Sequence, residues 1–174
     1  MPASSEDAFL WAIRQMESGG NYQAHNSGGA LGAYQVMPEH LRGGDEWAGR
    51  VYGHSVTAKQ FLASKTMQDQ MARQILGGYY QKYGPAGAAA AWFSGSPNPN
   101  SNASDGNTTV RNYVKTVLAL MGKAPAGGVA ADGGTSGGGG AASSRPQMTS
   151  VRTPSSIEPN GRVAWPTCSG SMIS

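Results

Sequence analysis

Glu17 is the residue whose setting in this chain points most directly to chemistry. Phe9, Ala12, Ile13 and Met16 recur at helical spacing. Glu17 follows Ile13 by four residues and Phe9 by eight, so it falls on the same apolar stripe. A carboxylate at the end of a buried helical face pays for desolvation by holding its proton more tightly. A carboxylic acid still protonated near neutral pH can serve as a general acid. Gly19-Gly20 follow at once and end the helix. Polar and aromatic groups come next in a short span: Asn21, Tyr22, Asn26, Ser27, Tyr34 and Gln35.

The elements that must position these groups are helical. Ser4 or Ser5 caps a first helix that the pattern carries to about Met16, with Glu6 and Asp7 suited to its first turn. Residues 18–34 are rich in Gly, Asn and Ser and read as loop or a short hairpin. Pro38 closes the apolar stretch 34–37. Trp47, Val51 and Tyr52 are anchors in a mixed segment. Thr57 caps a short helix to about Ala63 that turns Phe61 and Leu62 inward. Ser64 caps a longer one carrying Met67, Met71, Ile75 and Leu76, which extends to Gly84-Pro85. Residues 86–93 form an alanine-rich helix that a neighbour can approach closely, and residues 94–107 form a loop. A last helix starts near Thr108 or Thr109, with Val110, Tyr113, Val114, Val117, Leu118 and Met121 on its inner face.

Composition limits the alternatives. The chain has 174 residues, room for one domain and an extension. Only 13% of residues are charged and the formal net charge is +3, with no Lys/Arg cluster. That balance does not call for nucleic acid, and it suits an anionic polymer such as a bacterial cell wall. Cys168 is the single cysteine, which excludes an intrachain disulfide framework and a cysteine metal cluster. His25, His40 and His54 have no metal-ligand spacing, so no metal is expected. No apolar run approaches the roughly 18 residues of a membrane span. The first residues, MPASSEDAFLWAIRQME, do not read as a signal peptide. After Lys123 the chain changes character. Residues 124–156 are dominated by Gly, Ala, Ser, Thr and Pro and read as a linker. Residues 157–174 regain Ile157, Val163, Trp165, Met172 and Ile173, enough for an extended docking tail. The expected organisation is a mainly helical domain over residues 1–123, with that linker and tail behind it.

The stretch ESGGNYQAHNSGGALGAYQVMP resembles the signature of the soluble lytic transglycosylases, glycosidases of peptidoglycan related to goose-type lysozyme. Glu17, Ser18, Asn21, Gly32 and Gln35 meet that signature without a gap. Ala91-Trp92-Phe93-Ser94-Gly95 resembles the family's Ala-Tyr-Asn-Ala-Gly, and Arg111-Asn112-Tyr113-Val114 its Arg-x-Tyr-Val. The chain departs from the family pattern at Asn26, where a serine is usual, at Tyr34, where methionine is common, and at Trp92-Phe93.

The resemblance implies a lysozyme-like fold and cleavage of the MurNAc-GlcNAc β-1,4 bond, with Glu17 as acid and then base and no cofactor. By the same resemblance Tyr113 orients Glu17. Gln35, with Asn26 or Ser27, binds N-acetyl groups, and Asn21 belongs to the binding motif. Tyr34, Trp47 or Trp92 offers a face for stacking on sugar. Asp45 and Glu46 are the carboxylates that would activate water if the enzyme were instead a hydrolase. The variant motifs and the missing export signal point to an enzyme carried in a phage particle, in the tail or portal region. Several copies would be held to other virion proteins through residues 124–174, and the enzyme would act on the host wall. The alternatives are a structural virion component with a degenerate domain, and a wall-binding module without catalysis.

Overall fold

The computed structural model describes residues 4–126 together with Ser156–Ile157 and Val163–Ala164. The proposed linker and docking tail therefore lie almost wholly outside the described residues. The two short strands Ser156–Ile157 and Val163–Ala164 pair antiparallel.

Residues 4–126 are mainly helical. Helix α1 (Ser5–Ser18) is capped by Ser4, whose hydroxyl accepts from the Asp7 N–H at 3.0 Å. It ends at Gly19 in the left-handed region, with the Gly19 and Gly20 N–H groups donating back to Gln15 and Arg14 carbonyls. The helix is two residues longer than the apolar pattern alone indicated, because the glycine cap rather than the last apolar residue ends it. Glu17 and Ser18 thus belong to its last turn.

Residues 19–37 form a folded loop with isolated antiparallel bridges, His25 to Leu31 and Leu31 to Val36. A single 3-10 turn spans Pro38–Leu41, and α2 covers Trp47–Tyr52. Helix α3 (Ala58–Ala63) starts with a full capping box between Thr57 and Gln60. Helix α4 (Lys65–Ser94) is capped by Ser64 and broken at Gly84, which takes φ 69° and ψ 174° just ahead of Pro85. The long and the alanine-rich segments expected from sequence are therefore two helices joined without a loop. Helix α5 (Val110–Met121) follows its Thr109 cap.

Helices α1, α4 and α5 pack on one another. Phe9, Leu10, Ala12 and Ile13 of α1 meet Ala88, Ala89, Ala90 and Ala91 of α4, and Val110, Tyr113, Val114 and Val117 of α5, all buried. The run of alanines lets backbones approach, and that closeness brings the end of α1 up to Tyr113. Leu118, expected on the inner face of α5, is 39% exposed. It lies at the rim of the stripe set by Val110, Tyr113, Val114 and Val117, one helical step too far round to reach the core.

Candidate active site

Glu17 sits in the last turn of α1 and is 9% exposed. Its Oε1 accepts from the Tyr113 hydroxyl at 2.5 Å, across 96 residues of chain. Its Oε2 is buried with no hydrogen-bond partner. Burial pushes the Glu17 carboxyl up from 4.5 to about 7, against the Tyr113 hydrogen bond and the Trp92 indole, which pull it down; the charge of Asp105 adds to the rise. The Trp92 N–H acts on Glu17 without reaching hydrogen-bond geometry, since Nε1 has no partner. Burial, followed by the charge of Glu17, holds the Tyr113 phenol well above its ordinary value, so Tyr113 is the donor of the pair.

Two aromatic residues of the Ala91–Gly95 motif pack around this pair. Phe93 stacks on Tyr113 with centroids 4.7 Å apart. Trp92 stacks on Trp47, which stacks in turn on the buried His40 at 3.8 Å. His40 bonds through Nδ1 to Glu46 Oε2 at 3.2 Å, and burial lowers its pKa against the pull of Glu46. Trp92 and Trp47 are each 1% exposed. Their rings are therefore core rather than sugar-stacking faces, and Trp92 offers the site its N–H instead.

The loop of the first motif is pinned from both sides. Ser18 Oγ donates to the Ala33 carbonyl at 2.8 Å, tying the loop to α1. Gln68 of α4, fully buried, accepts from the Ala33 N–H and donates to the carbonyls of Tyr22 and Phe61. Gln35 is held at φ 53°, the only left-handed non-glycine among the described residues. Its Nε2 donates to the Gly32 carbonyl at 3.0 Å. Such strain persists only where the surroundings hold it.

Tyr34 is buried, and its hydroxyl donates to Asp69 at 2.8 Å. The Tyr22 hydroxyl donates to the same carboxylate and accepts from Arg14. Tyr34 thus departs from the expected sugar-stacking role, because Asp69 gives its hydroxyl an internal partner and draws the ring into the core. Asn21 is exposed and closes a turn on the Gln23 N–H. Asn26 accepts from the Ala30 N–H at 3.0 Å and shapes the loop, while Ser27 is exposed on it.

The charge of Asp105, in the loop expected from sequence, makes the smallest of the contributions to the rise at Glu17. Glu46 is engaged by His40 and Asp45 is exposed. The signal at Asp105 was the Ser-Asp-Gly-Asn run, which marks a turn and says nothing of what the turn faces. Gln68 was also missed, although a polar residue three before Met71 and seven before Ile75 interrupts an apolar stripe as Glu17 does.

Tyr113→Phe should keep the stack on Phe93 but leave Glu17 Oε1 unpaired. The hydrogen bond that holds the Glu17 carboxyl down is then gone, so its midpoint should move above about 7, read by carboxyl 13C NMR titration. An unchanged midpoint would mean that the Tyr113–Glu17 bond does not form in solution.

Among the described residues no helix is long and apolar enough to cross a membrane, and no group of three His, Cys, Asp or Glu converges as a metal site. No protein-family model, curated protein or solved structure matches this chain.

Proposed function

We propose that this chain cleaves the β-1,4 bond between MurNAc and GlcNAc in peptidoglycan, as a lytic transglycosylase. The observation that carries the reading is Glu17: a buried carboxyl that holds its proton up to about pH 7, with one oxygen fixed by Tyr113 and the other uncommitted. A general acid needs that combination of protonation, orientation and a free oxygen. The three motifs that resemble the soluble lytic transglycosylases supply the substrate class, and a lysozyme-like fold is part of the same proposal.

Glu17 gives its proton to the glycosidic oxygen as the C1–O bond breaks. The carboxylate left behind then takes the proton of the MurNAc 6-hydroxyl as O6 bonds to C1. This closes a 1,6-anhydro ring and returns Glu17 to its protonated form. One carboxyl serves both steps, where most glycosidases use two. Gln35 and the loop that Gly32 and Gln68 shape would seat the N-acetyl groups. Carriage by a phage particle, with several copies tethered to other virion proteins through residues 124–174, rests on the variant motifs and the composition of that tail.

The departures at Trp92 and Phe93 do not favour a degenerate, purely structural domain. Phe93 stacks on Tyr113, which holds the acid, and the Trp92 indole is buried close enough to Glu17 to lower its pKa. The test is mass spectrometry of muropeptides after digestion of purified peptidoglycan with the full chain. Products one water lighter than hydrolysed muropeptides are expected. Reducing-end products would replace the transglycosylase by a lysozyme, and no products from an intact, folded chain would remove the glycosidase.

A further inference from the structure

Gly32, Ala33, Tyr34 and Gln35 form a four-residue turn, closed at its base by Leu31 and Val36, whose N–H groups each donate to the other's carbonyl at 2.9 Å. The turn ends on the strained residue, Gln35 at φ 53°. The Gln35 N–H and Nε2 both donate to the Gly32 carbonyl, at 3.2 and 3.0 Å. A left-handed residue other than glycine keeps that conformation only where its surroundings impose it. Here the imposing groups come from α4. Gln68 and Asp69 are consecutive in that helix and reach consecutive residues of the turn. Gln68 takes the Ala33 N–H and Asp69 takes the Tyr34 hydroxyl, each at 2.8 Å. Asp69 is itself tied in place. It accepts from the Tyr22 hydroxyl at 2.8 and 2.9 Å, and Arg14 of α1 stands 3.9 Å from its Oδ1. With Ala33 held at its N–H and Tyr34 at its buried hydroxyl end, the chain returns to the Leu31–Val36 pair by turning sharply at Gln35.

We propose that Asp69 is a positioning residue of this site: by holding the Tyr34 hydroxyl it fixes the turn that carries Gln35, and so sets how well the chain grips the N-acetyl sugar that Gln35 meets. The grip on sugar rests on the glycosidase reading above. The hold on the turn does not. Asp69 acts through Tyr34 and takes no part in the proton transfers of Glu17. The device belongs to this chain through Tyr34, since methionine, common at that position in the family it resembles, has no hydroxyl to give. Asp69 serves two hydroxyls, and they are not equivalent. Tyr22 lies ahead of the His25–Leu31 bridge, whereas Tyr34 adjoins Gln35 inside the turn. The bond to Tyr34 is therefore the one that bears on Gln35.

Tyr34→Phe keeps the ring and removes one hydroxyl, and Tyr22→Phe does the same to the other partner of the same carboxylate. Two measurements on the full chain separate them. In hydrogen exchange without substrate, the Gln35 and Val36 amides, which close the turn, should exchange roughly tenfold faster in Tyr34→Phe and near the wild-type rate in Tyr22→Phe. In initial-rate assays on peptidoglycan, Tyr34→Phe should raise KM roughly threefold to tenfold, with kcat and the pH profile nearly unchanged because the acid is untouched. Tyr22→Phe should leave KM as it is. Asp69→Ala should reproduce the effect of Tyr34→Phe at Gln35, and the double variant should add little to either. Tyr34→Phe decides the matter even where Asp69→Ala does not fold. Unchanged Gln35 exchange in folded Tyr34→Phe overturns the hold on the turn. Equal acceleration in the two phenylalanine variants overturns it as well, because Asp69 would then brace the loop as a whole. Faster exchange with unchanged KM overturns the role at the sugar. If wild type cleaves no peptidoglycan, the glycosidase reading and the role at the sugar fall together, and the exchange rates still decide whether Asp69 holds the turn.

Discussion

Glu17→Gln should abolish peptidoglycan cleavage, a loss of roughly a thousandfold or more in turnover, in a protein that folds as before. The amide keeps the shape of the side chain and an oxygen for the Tyr113 hydroxyl, but it carries no proton to give. The same substitution should change the dependence of stability on pH in a definite direction. The wild-type carboxyl sits at about 7 in the folded protein against 4.5 ordinarily. Between those values the folded chain binds more protons than the unfolded one, so stability falls as pH rises through this window. Below about 4.5 both states hold the proton and nothing is lost. Above about 7 the folded protein carries a buried charge at a cost of about 3 kcal/mol. Glutamine is neutral throughout. Urea denaturation at pH 4 and pH 8 should therefore find the variant little changed at the lower pH and more stable than wild type at the higher. Residual lysis near the wild-type rate would remove Glu17 as the acid. A variant that loses stability with pH as steeply as wild type would place that pH dependence on some other group.

Gly32→Ala should be among the most destabilising single-methyl changes in this chain, at about 3 kcal/mol. Gly32 takes φ +73°, where a side chain is strained, and a Cβ there would stand 2.1 Å from Gln68 Oε1. Gln68 cannot retreat without giving up its bonds to Ala33, Tyr22 and Phe61, all of them buried. Gly44→Ala is the control. Its φ is +71° but nothing lies within 4 Å of the added carbon, so it carries the strain alone, about 1 kcal/mol. Comparable urea midpoints for the two variants would show that the close approach to Gln68 does not exist. Because Gln35 bonds to the Gly32 carbonyl, a folded Gly32→Ala should also lose activity through misplaced substrate contacts rather than through the acid.

Much of this architecture was legible in the chain. The caps at Ser4, Thr57, Ser64 and Thr109 and the breaks at Gly19 and Gly84 are local, set by side chains within three residues or by glycine itself. The suspicion that fell on Glu17 was local as well, a charge out of place on an apolar stripe, and the burial of its side chain bears that out. Other assignments did not carry over. Tyr34 and Trp92 were offered as sugar-stacking faces by the family resemblance, and the residues around them do not say which way their rings face. What turned them inward is remote: Asp69 for the first, and the stack on Trp47 for the second.

The sequence by itself therefore determined most of the helices and their caps, though not α2 or the last turn of α1, and the one acid that sits where a solvated carboxylate would not. Tertiary structure decided what that acid meets. Tyr113 lies 96 residues away from Glu17 and meets it because α1 and α5 pack against each other and against α4. Local structure follows from interactions over a few residues of chain, which the sequence displays. The protonation of Glu17 follows from burial and from charges brought near in space, and these exist only once the chain has packed.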